Sequence, residues 1–308
     1  MKIADKLQLI KRIAGITQEQ LAAKIGISFV ALNSLINNRS EARKKTEEKI
    51  NELYLEYSGQ KQIPANILEA KKQLLITKSQ KTGNVLKIIM DNNDILNQFI
   101  LSLTYNTNKI EGSSLTENET AGILFENTIL KDKTLVEQLE AKNHQTALKF
   151  LFNHLAEGRL INEALILRLH SILLNSINPD AGFYRRHGVR IVGANVATAN
   201  YLKVPELMNN LIRNIQSKKN DIIAHGAKIH SNFEQIHPFS DGNGRIGRLI
   251  LQAMFLRQNL APALIKEENK TLYMKYLNIS QTKNDFSLLE NFMCEAIMNG
   301  YKIIKRKP

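Results

Sequence analysis

His237-Pro238-Phe239-Ser240-Asp241-Gly242-Asn243-Gly244-Arg245-Ile246-Gly247-Arg248 is the stretch of this 308-residue chain that is densest in chemistry. It sets an imidazole, a carboxylate, three glycines and two guanidinium groups within twelve positions. Helical apolar spacing resumes just after Gly244, so Gly242-Asn243-Gly244 is predicted to be a turn feeding a helix N-terminus. Glycines let successive backbone N–H groups converge, and a helix start adds partial positive charge, which together make an anion cradle. Arg245 and Arg248 share a helix face, so their forks can grip successive phosphates of one nucleotide. Asp241 is placed to hold Mg²⁺ against those phosphates. His237 is the one side chain of the tract that is neutral and basic near neutral pH. Any single piece reads as a solvated helix start with ordinary salt bridges. The whole set reads as an enzyme acting on a polyphosphate.

Outward from this tract the chain is predominantly helical. Apolar residues recur every three or four positions over 95–104, 135–155, 163–174, 205–216, 222–235, 245–258 and 288–300. The exception lies between Tyr184 and Asn195, where Val189, Ile191 and Gly193 suggest a short extended hairpin. Hydrophobic residues make up 43% and charged residues 23%, as in a soluble globular protein. No apolar run approaches the roughly 18 residues of a membrane span, and MKIADKLQLI lacks a signal-peptide core. With one cysteine, Cys294, in a packed helical pattern, a reducing cytoplasmic location is expected.

The net charge is +13, and residues 1–90 hold 16 Lys or Arg against 8 Asp or Glu. That imbalance favours anionic partners for the N-terminal part. Thr17 is predicted to cap a helix with Gln20 completing a capping box. Gly26 then suits a turn, and Ser28 caps a second short helix from Phe29 to Asn37. The spacing resembles the small lambda-repressor-like, XRE-type helix-turn-helix domains. The resemblance implies that Ser28, Asn33 and Asn37 face DNA bases, with Arg39, Arg43, Lys44 and Lys45 near phosphates. A helical module for protein contacts is the alternative. The predicted division is a helix-turn-helix domain at 1–58, a helical linker at 59–91 and a larger helical domain at 92–300.

The central tract matches the signature His-Pro-Phe-x-Asp/Glu-Gly-Asn-Gly-Arg-x-x-Arg at every position, and so resembles the Fic family. The resemblance implies an all-α Fic core with a short β-hairpin flap. It further implies transfer of AMP from ATP to a Ser, Thr or Tyr hydroxyl of a target protein, which can be the chain itself. His237 would then be the general base and Asp241 the Mg²⁺ ligand. Gly242, Asn243 and Gly244 would bind the α-phosphate region, Arg245 the β-phosphate and Arg248 the γ-phosphate. Phe239 would anchor the loop, His170 would support it, and Tyr273 and Tyr276 would lie near the adenine pocket. Val189, Arg190 and Ile191 would form the target-positioning flap. Upstream, Thr107-Asn108-Lys109-Ile110-Glu111-Gly112 resembles the family's inhibitory motif. That likeness implies an inhibitory helix at 104–112, whose Glu111 pairs with Arg248, although Gly112 alone reads as a plain helix cap. His187, His225 and His230 lack the partners of a zinc site. Two alternatives stay open: a DNA-binding regulator whose Fic domain senses nucleotide, and an enzyme using another nucleotide donor. Association into a homo-oligomer also stays open.

Overall fold

The computed structural model describes residues 1–190 and 196–305. Four helices open the chain: α1 (Ile3–Ala14), α2 (Gln18–Ile25), α3 (Phe29–Ile36) and α4 (Lys44–Ser58). The predicted caps set their limits. Thr17 accepts from the Gln20 amide at 3.2 Å while Gln20 returns the bond to the Thr17 amide at 2.9 Å. Ser28 caps α3 through the Ala31 amide at 3.2 Å, and Gly26 ends α2 at φ +83°. Leu7, Ile10, Leu21, Leu32 and Ile50 are each fully buried, so the four helices close on one apolar centre.

Two helices follow, α5 (Ala65–Thr82) and α6 (Val85–Asp91), over the stretch expected to be a linker. They are docked rather than free-standing. α5 packs along the last helix of the chain and buries Leu68 and Leu75. Lys72 bridges Asp221 and Glu290, at 2.5 Å from each. Single-sequence periodicity misses this because Lys72 reads as a polar position, yet its stem lies in the interface.

The larger domain is built from α7 (Asn93–Glu111), α8 (Glu117–Ala121), α9 (Leu135–Ala156), α10 (Glu163–Leu173), α11 (Val204–Gln216), α12 (Ile222–Ile236), α13 (Asn243–Arg257), α14 (Lys270–Lys283) and α15 (Ser287–Ile304). A π-helical turn at Gly122–Glu126 extends α8. α13 is the central element, buried along nearly its whole length from Arg245 to Leu256. The N-terminal domain rests on α14: Lys275 donates to the Tyr57 carbonyl at 2.5 Å and Thr271 to the Ala14 carbonyl at 3.3 Å. Among the described residues no helix is long and apolar enough to cross a membrane.

The expected β-hairpin between Tyr184 and Asn195 is not seen: the described residues contain no strand. Ile191 and Gly193 lie outside them. Described backbone groups on the near side of that segment bond elsewhere. The Arg185 amide donates to the Pro238 carbonyl at 2.9 Å, and the Val189 carbonyl accepts from the Thr198 hydroxyl at 2.7 Å.

α12 and α13 cross closely because each offers a glycine to the other's phenylalanine. A Cβ on Gly226 would stand 2.7 Å from the Phe255 ring, and one on Gly247 would stand 3.1 Å from Phe233. Gly226→Ala is therefore expected to destabilise the protein by about 1–3 kcal/mol through overpacking, despite alanine's better helix propensity. Thermal unfolding checks this; an unchanged or higher Tm would show that Phe255 yields freely.

Candidate active site

The tract from His237 to Arg248 folds as the end of α12, a tight loop and the start of α13. His237 caps α12 in the left-handed region, at φ 52° and ψ 60°. A non-glycine residue there generally costs on the order of 1–3 kcal/mol and persists only where its surroundings fix it. Its Nδ1 donates to the Glu234 carbonyl at 3.2 Å, which leaves the Nε2 lone pair free to accept a proton. Burial holds the imidazole's pKa below its ordinary value, so the neutral form predominates at neutral pH.

The loop is braced from beneath. Phe239 is fully buried and stacks on His170, with ring centroids 3.7 Å apart. His170 accepts from the Gly182 amide at 2.8 Å through Nδ1 and donates to the Asp241 carbonyl at 3.1 Å through Nε2. Burial depresses its pKa to about 4, in keeping with a neutral, structural histidine. The Asn243 side chain bonds within the loop. Its amide group accepts from the Phe239 amide and donates to the Phe239 carbonyl, both at 2.9 Å. The side chain thus staples the loop shut, leaving backbone groups to face a phosphate. Gly242 begins α13 at φ +77°, a conformation few side chains tolerate.

Two arginines stand on the next turn of α13, both almost wholly buried. Arg245 donates to Glu140 on α9 at 2.5 Å and to Asp241 at 3.4 Å. Its Nε is buried without a partner. Arg248 donates through Nε to the Thr107 hydroxyl at 2.5 Å and through Nη2 to Glu111, which lies 137 positions earlier. Glu111 is the last residue of α7, and Gly112 ends that helix at φ +109°. Gly112 is therefore a helix cap, and the cap is what aims Glu111 at α13. Gly244 completes the fit, because a Cβ there would collide with the Glu111 carboxylate. Burial opposes ionisation of Glu111, but the Arg248 guanidinium outweighs it and holds the carboxyl below its ordinary pKa. Burial likewise opposes the charge on Arg248, and Glu111 reverses the effect.

Other expected site residues sit apart from an open surface. Tyr273 is 1% exposed, its hydroxyl shares a 2.5 Å hydrogen bond with His230 Nε2, and its ring stacks on Phe292. It underlies Arg248 in the core, a placement that does not suit an adenine lid. Tyr276 packs edge-on against the same Phe292. Val189 is half-buried and Arg190 exposed, while Ile191 lies outside the described residues. Asp241 keeps 51% of its side-chain surface, and no group of three metal-ligating side chains exists among the described residues. In the N-terminal domain, the Asn37 amide donates to Asn33 Oδ1 at 2.7 Å, so these two residues satisfy each other. Phe29 and Val30 are the exposed residues at the head of α3. Cys294 is buried and its thiol is pushed up to about 12, the property of a packed residue.

Sequence reasoning missed two carboxyl groups. Glu140 anchors Arg245, but nothing in its local pattern separates it from other helix-surface glutamates. Glu234 has a buried, unpartnered Oε1, and burial lifts its pKa to about 7. Its signal was available, since it lies one helical turn before His237 on a buried face.

Comparison with known proteins agrees with this architecture. Residues 160–255 match the Fic/DOC family and residues 8–54 match a helix-turn-helix family. The chain is 25% identical over 240 residues to the protein adenylyltransferase Fic of Aedes aegypti, covering 75% of this chain and 48% of that protein. It thus spans about half the length of the curated relative it matches. A Fic domain containing signalling protein from Bacteroides thetaiotaomicron superposes with a TM-score of 0.65 at 21% identity, over 76% of this chain and 97% of that one. Fic-1 from C. elegans superposes with a TM-score of 0.63 at 20% identity, over 98% of this chain and 96% of that one. At those identities the superpositions speak for the fold alone. The chain accordingly carries a match to the Fic/DOC family over residues 160–255, behind a helix-turn-helix match over residues 8–54.

Proposed function

We propose that this protein transfers AMP from ATP to a Ser, Thr or Tyr hydroxyl of a target protein, and that Glu111 holds the reaction off at rest. The observation that carries the reading is His237, its Nδ1 against the Glu234 carbonyl, set one short loop before the two buried arginines of α13. The names of the matched relatives support it. In this reading the target oxygen attacks the α-phosphorus, its proton passes to His237 Nε2, and the bond from phosphorus to the pyrophosphate oxygen breaks. Negative charge grows on the non-bridging oxygens and on the pyrophosphate. Loop amides, Arg245 and Arg248 would stand where that charge develops. Asp241 fits a Mg²⁺ ion, since its carboxylate keeps 51% of its surface with Arg245 and the Gly242 amide on Oδ1 only, and Mg²⁺ typically takes one or two carboxylates together with substrate phosphates. The ion would neutralise phosphate charge.

Glu111 occupies the fork of Arg248 that a γ-phosphate would use. One anion substitutes for another, so ATP can enter only with its terminal phosphate displaced or with Glu111 moved aside. The three-part division at 1–58, 59–91 and 92–300 is kept as the functional layout, with α5 and α6 joining the two domains. The N-terminal domain is read as a DNA-binding module, supported by exposed Arg39, Arg43, Lys44 and Lys45 beside α3. A donor other than ATP remains the second reading, because Tyr273 does not line a base pocket.

Labelled ATP, GTP, UTP and CTP presented to the full chain with a lysate test donor and transfer together. Glu111→Gly is expected to raise incorporation from ATP by about tenfold or more, each 1.4 kcal/mol of competition for Arg248 being worth a factor of ten. His237→Ala in that background is expected to lose about 10²–10⁴-fold. Label from another nucleotide alone would replace the donor, and unchanged transfer without His237 would remove it as the base.

For the N-terminal module, gel shifts with duplex DNA are expected to weaken steeply as salt rises, because Lys and Arg release counterions on binding. Replacing Arg43, Lys44 and Lys45 by Ala is expected to flatten that dependence. Salt-independent binding, or none at low salt, would favour a protein-contact module.

A further inference from the structure

α12 ends at Ile236, so its last carbonyls have no partners within the helix. The Phe233, Glu234 and Gln235 carbonyls are taken by the His237 amide, His237 Nδ1 and the Ala199 amide, and Arg185 takes the Ile236 carbonyl and that of the cap. Its Nε donates to the His237 carbonyl at 2.7 Å, and its Nη2 reaches the Ile236 carbonyl at 3.4 Å. The same Nη2 donates to the Ala199 carbonyl at 2.5 Å, and Nη1 donates to the His187 carbonyl at 2.6 Å. The Arg185 amide adds a bond to the Pro238 carbonyl at 2.9 Å. The residue is 3% exposed, and these acceptors are backbone carbonyls rather than carboxylates. A buried cation at a helix C-terminus, bonded to the cap residue itself, is a device for fixing that residue.

We infer that Arg185 is the positioning residue for His237, locking the left-handed backbone of the proton acceptor and tying it to His187 and Ala199. The inference rests on the adenylyl-transfer reading, in which His237 takes the target's proton. It gives a physical reason why a strained histidine stays in one orientation. Arginine suits the task because its planar fork offers five donors in fixed directions. A lysine ammonium in the same place keeps the charge but concentrates its donors at one point. It would satisfy one or two carbonyls and leave the rest of the network open.

The same geometry has an electrostatic consequence. His237 Nδ1 bonds the Glu234 carbonyl on α12, and the charges that act on the ring are those of Arg185 from the preceding segment, Glu111 from α7 and Asp241 from its own loop. Burial contributes most to keeping the imidazole neutral, and the Arg185 charge acts in the same direction. Removing that charge therefore raises the imidazole pKa. Since only the neutral base accepts a proton, the acid limb of the rate profile moves to higher pH.

The test uses full-length protein in the Glu111→Gly background, with Arg185→Lys and Arg185→Gln compared. Both variants are expected to lose about 10²-fold in kcat, as a roughly 1 Å misplacement of a catalytic group can cause. KM for ATP should stay within about twofold, because the nucleotide is held by α13 and not by this network. Arg185→Gln should shift the acid limb upward, whereas Arg185→Lys should leave it in place. In parallel, ¹⁵N NMR of the histidines in the full chain should show the Nδ1–H tautomer of His237 with Arg185 present and tautomer averaging in Arg185→Gln. Unchanged kcat and an unchanged tautomer in Arg185→Gln would overturn the inference, as would a loss appearing only in KM. If Glu111→Gly protein transfers nothing, the adenylyl-transfer reading fails, and the NMR arm still decides whether Arg185 orients His237.

Discussion

Arg248 is a buried guanidinium paired with a carboxylate, and this site is arranged around it. It comes from the most deeply buried helix, α13, and reaches Thr107 and Glu111 on α7. Removing one partner of a buried pair typically costs about 3–5 kcal/mol. Here the cost is smaller, because the Glu111 side chain keeps 37% of its surface and solvent screens it. That partial exposure is itself informative. The pair is strong enough to align α7 with α13 in the resting protein, yet one partner lies at the rim, where another anion can replace it. Under the proposed reading, the ligand that displaces Glu111 must bring its own negative charge, and a γ-phosphate does.

The neighbourhood of Arg248 is built to tolerate that exchange. Gly244 has no side chain where the Glu111 carboxylate lies, so the anion position is open to groups of different shape. Glu234 stands nearby with its pKa raised to about 7 by burial, which disfavours its charged form. A second full negative charge at that place would compete for Arg248 and repel an incoming phosphate. Burial that favours the neutral acid reduces both effects. His230 and Tyr273, hydrogen-bonded to each other beneath the arginine, complete a floor with no net charge. Burial depresses the His230 pKa to about 3, which keeps a positive charge from accumulating beside Arg248.

Much of this was legible in the chain because it is local. The caps at Thr17 and Ser28, the turn at Gly242 and the helix beginning after it are each decided by a few adjacent residues. The meeting of Glu111 with Arg248 could be anticipated only through a family likeness, since no spacing rule links positions so far apart. What stayed hidden depends on topology. Glu140 resembles other surface glutamates until α9 packs beside α13. Asn243 looked like a ligand for phosphate, but its amide is consumed by Phe239 four residues earlier. The hairpin was expected from alternating Val189 and Ile191; Ile191 lies outside the described residues, and the Val189 carbonyl accepts from the Thr198 hydroxyl.

Arg185 shows the same limit from the other side. In the sequence it is one of two adjacent arginines in a loop, and Arg186 beside it is exposed. Only the fold separates them, by placing the end of α12 over Arg185. The helix leaves carbonyls unsatisfied at the point where the chain must turn sharply into His237 and Pro238. A guanidinium satisfies them and fixes that turn in one act, so the need to end a helix and the need to aim an imidazole are met by one side chain. Phe239, stacked on His170, secures the far side of the turn. Held at both ends, His237 has little freedom left except to be occupied by a proton or not. Under the proposed reading, Glu111 competes with the phosphates for Arg248 while the hydrogen bonds that orient His237 stay in place.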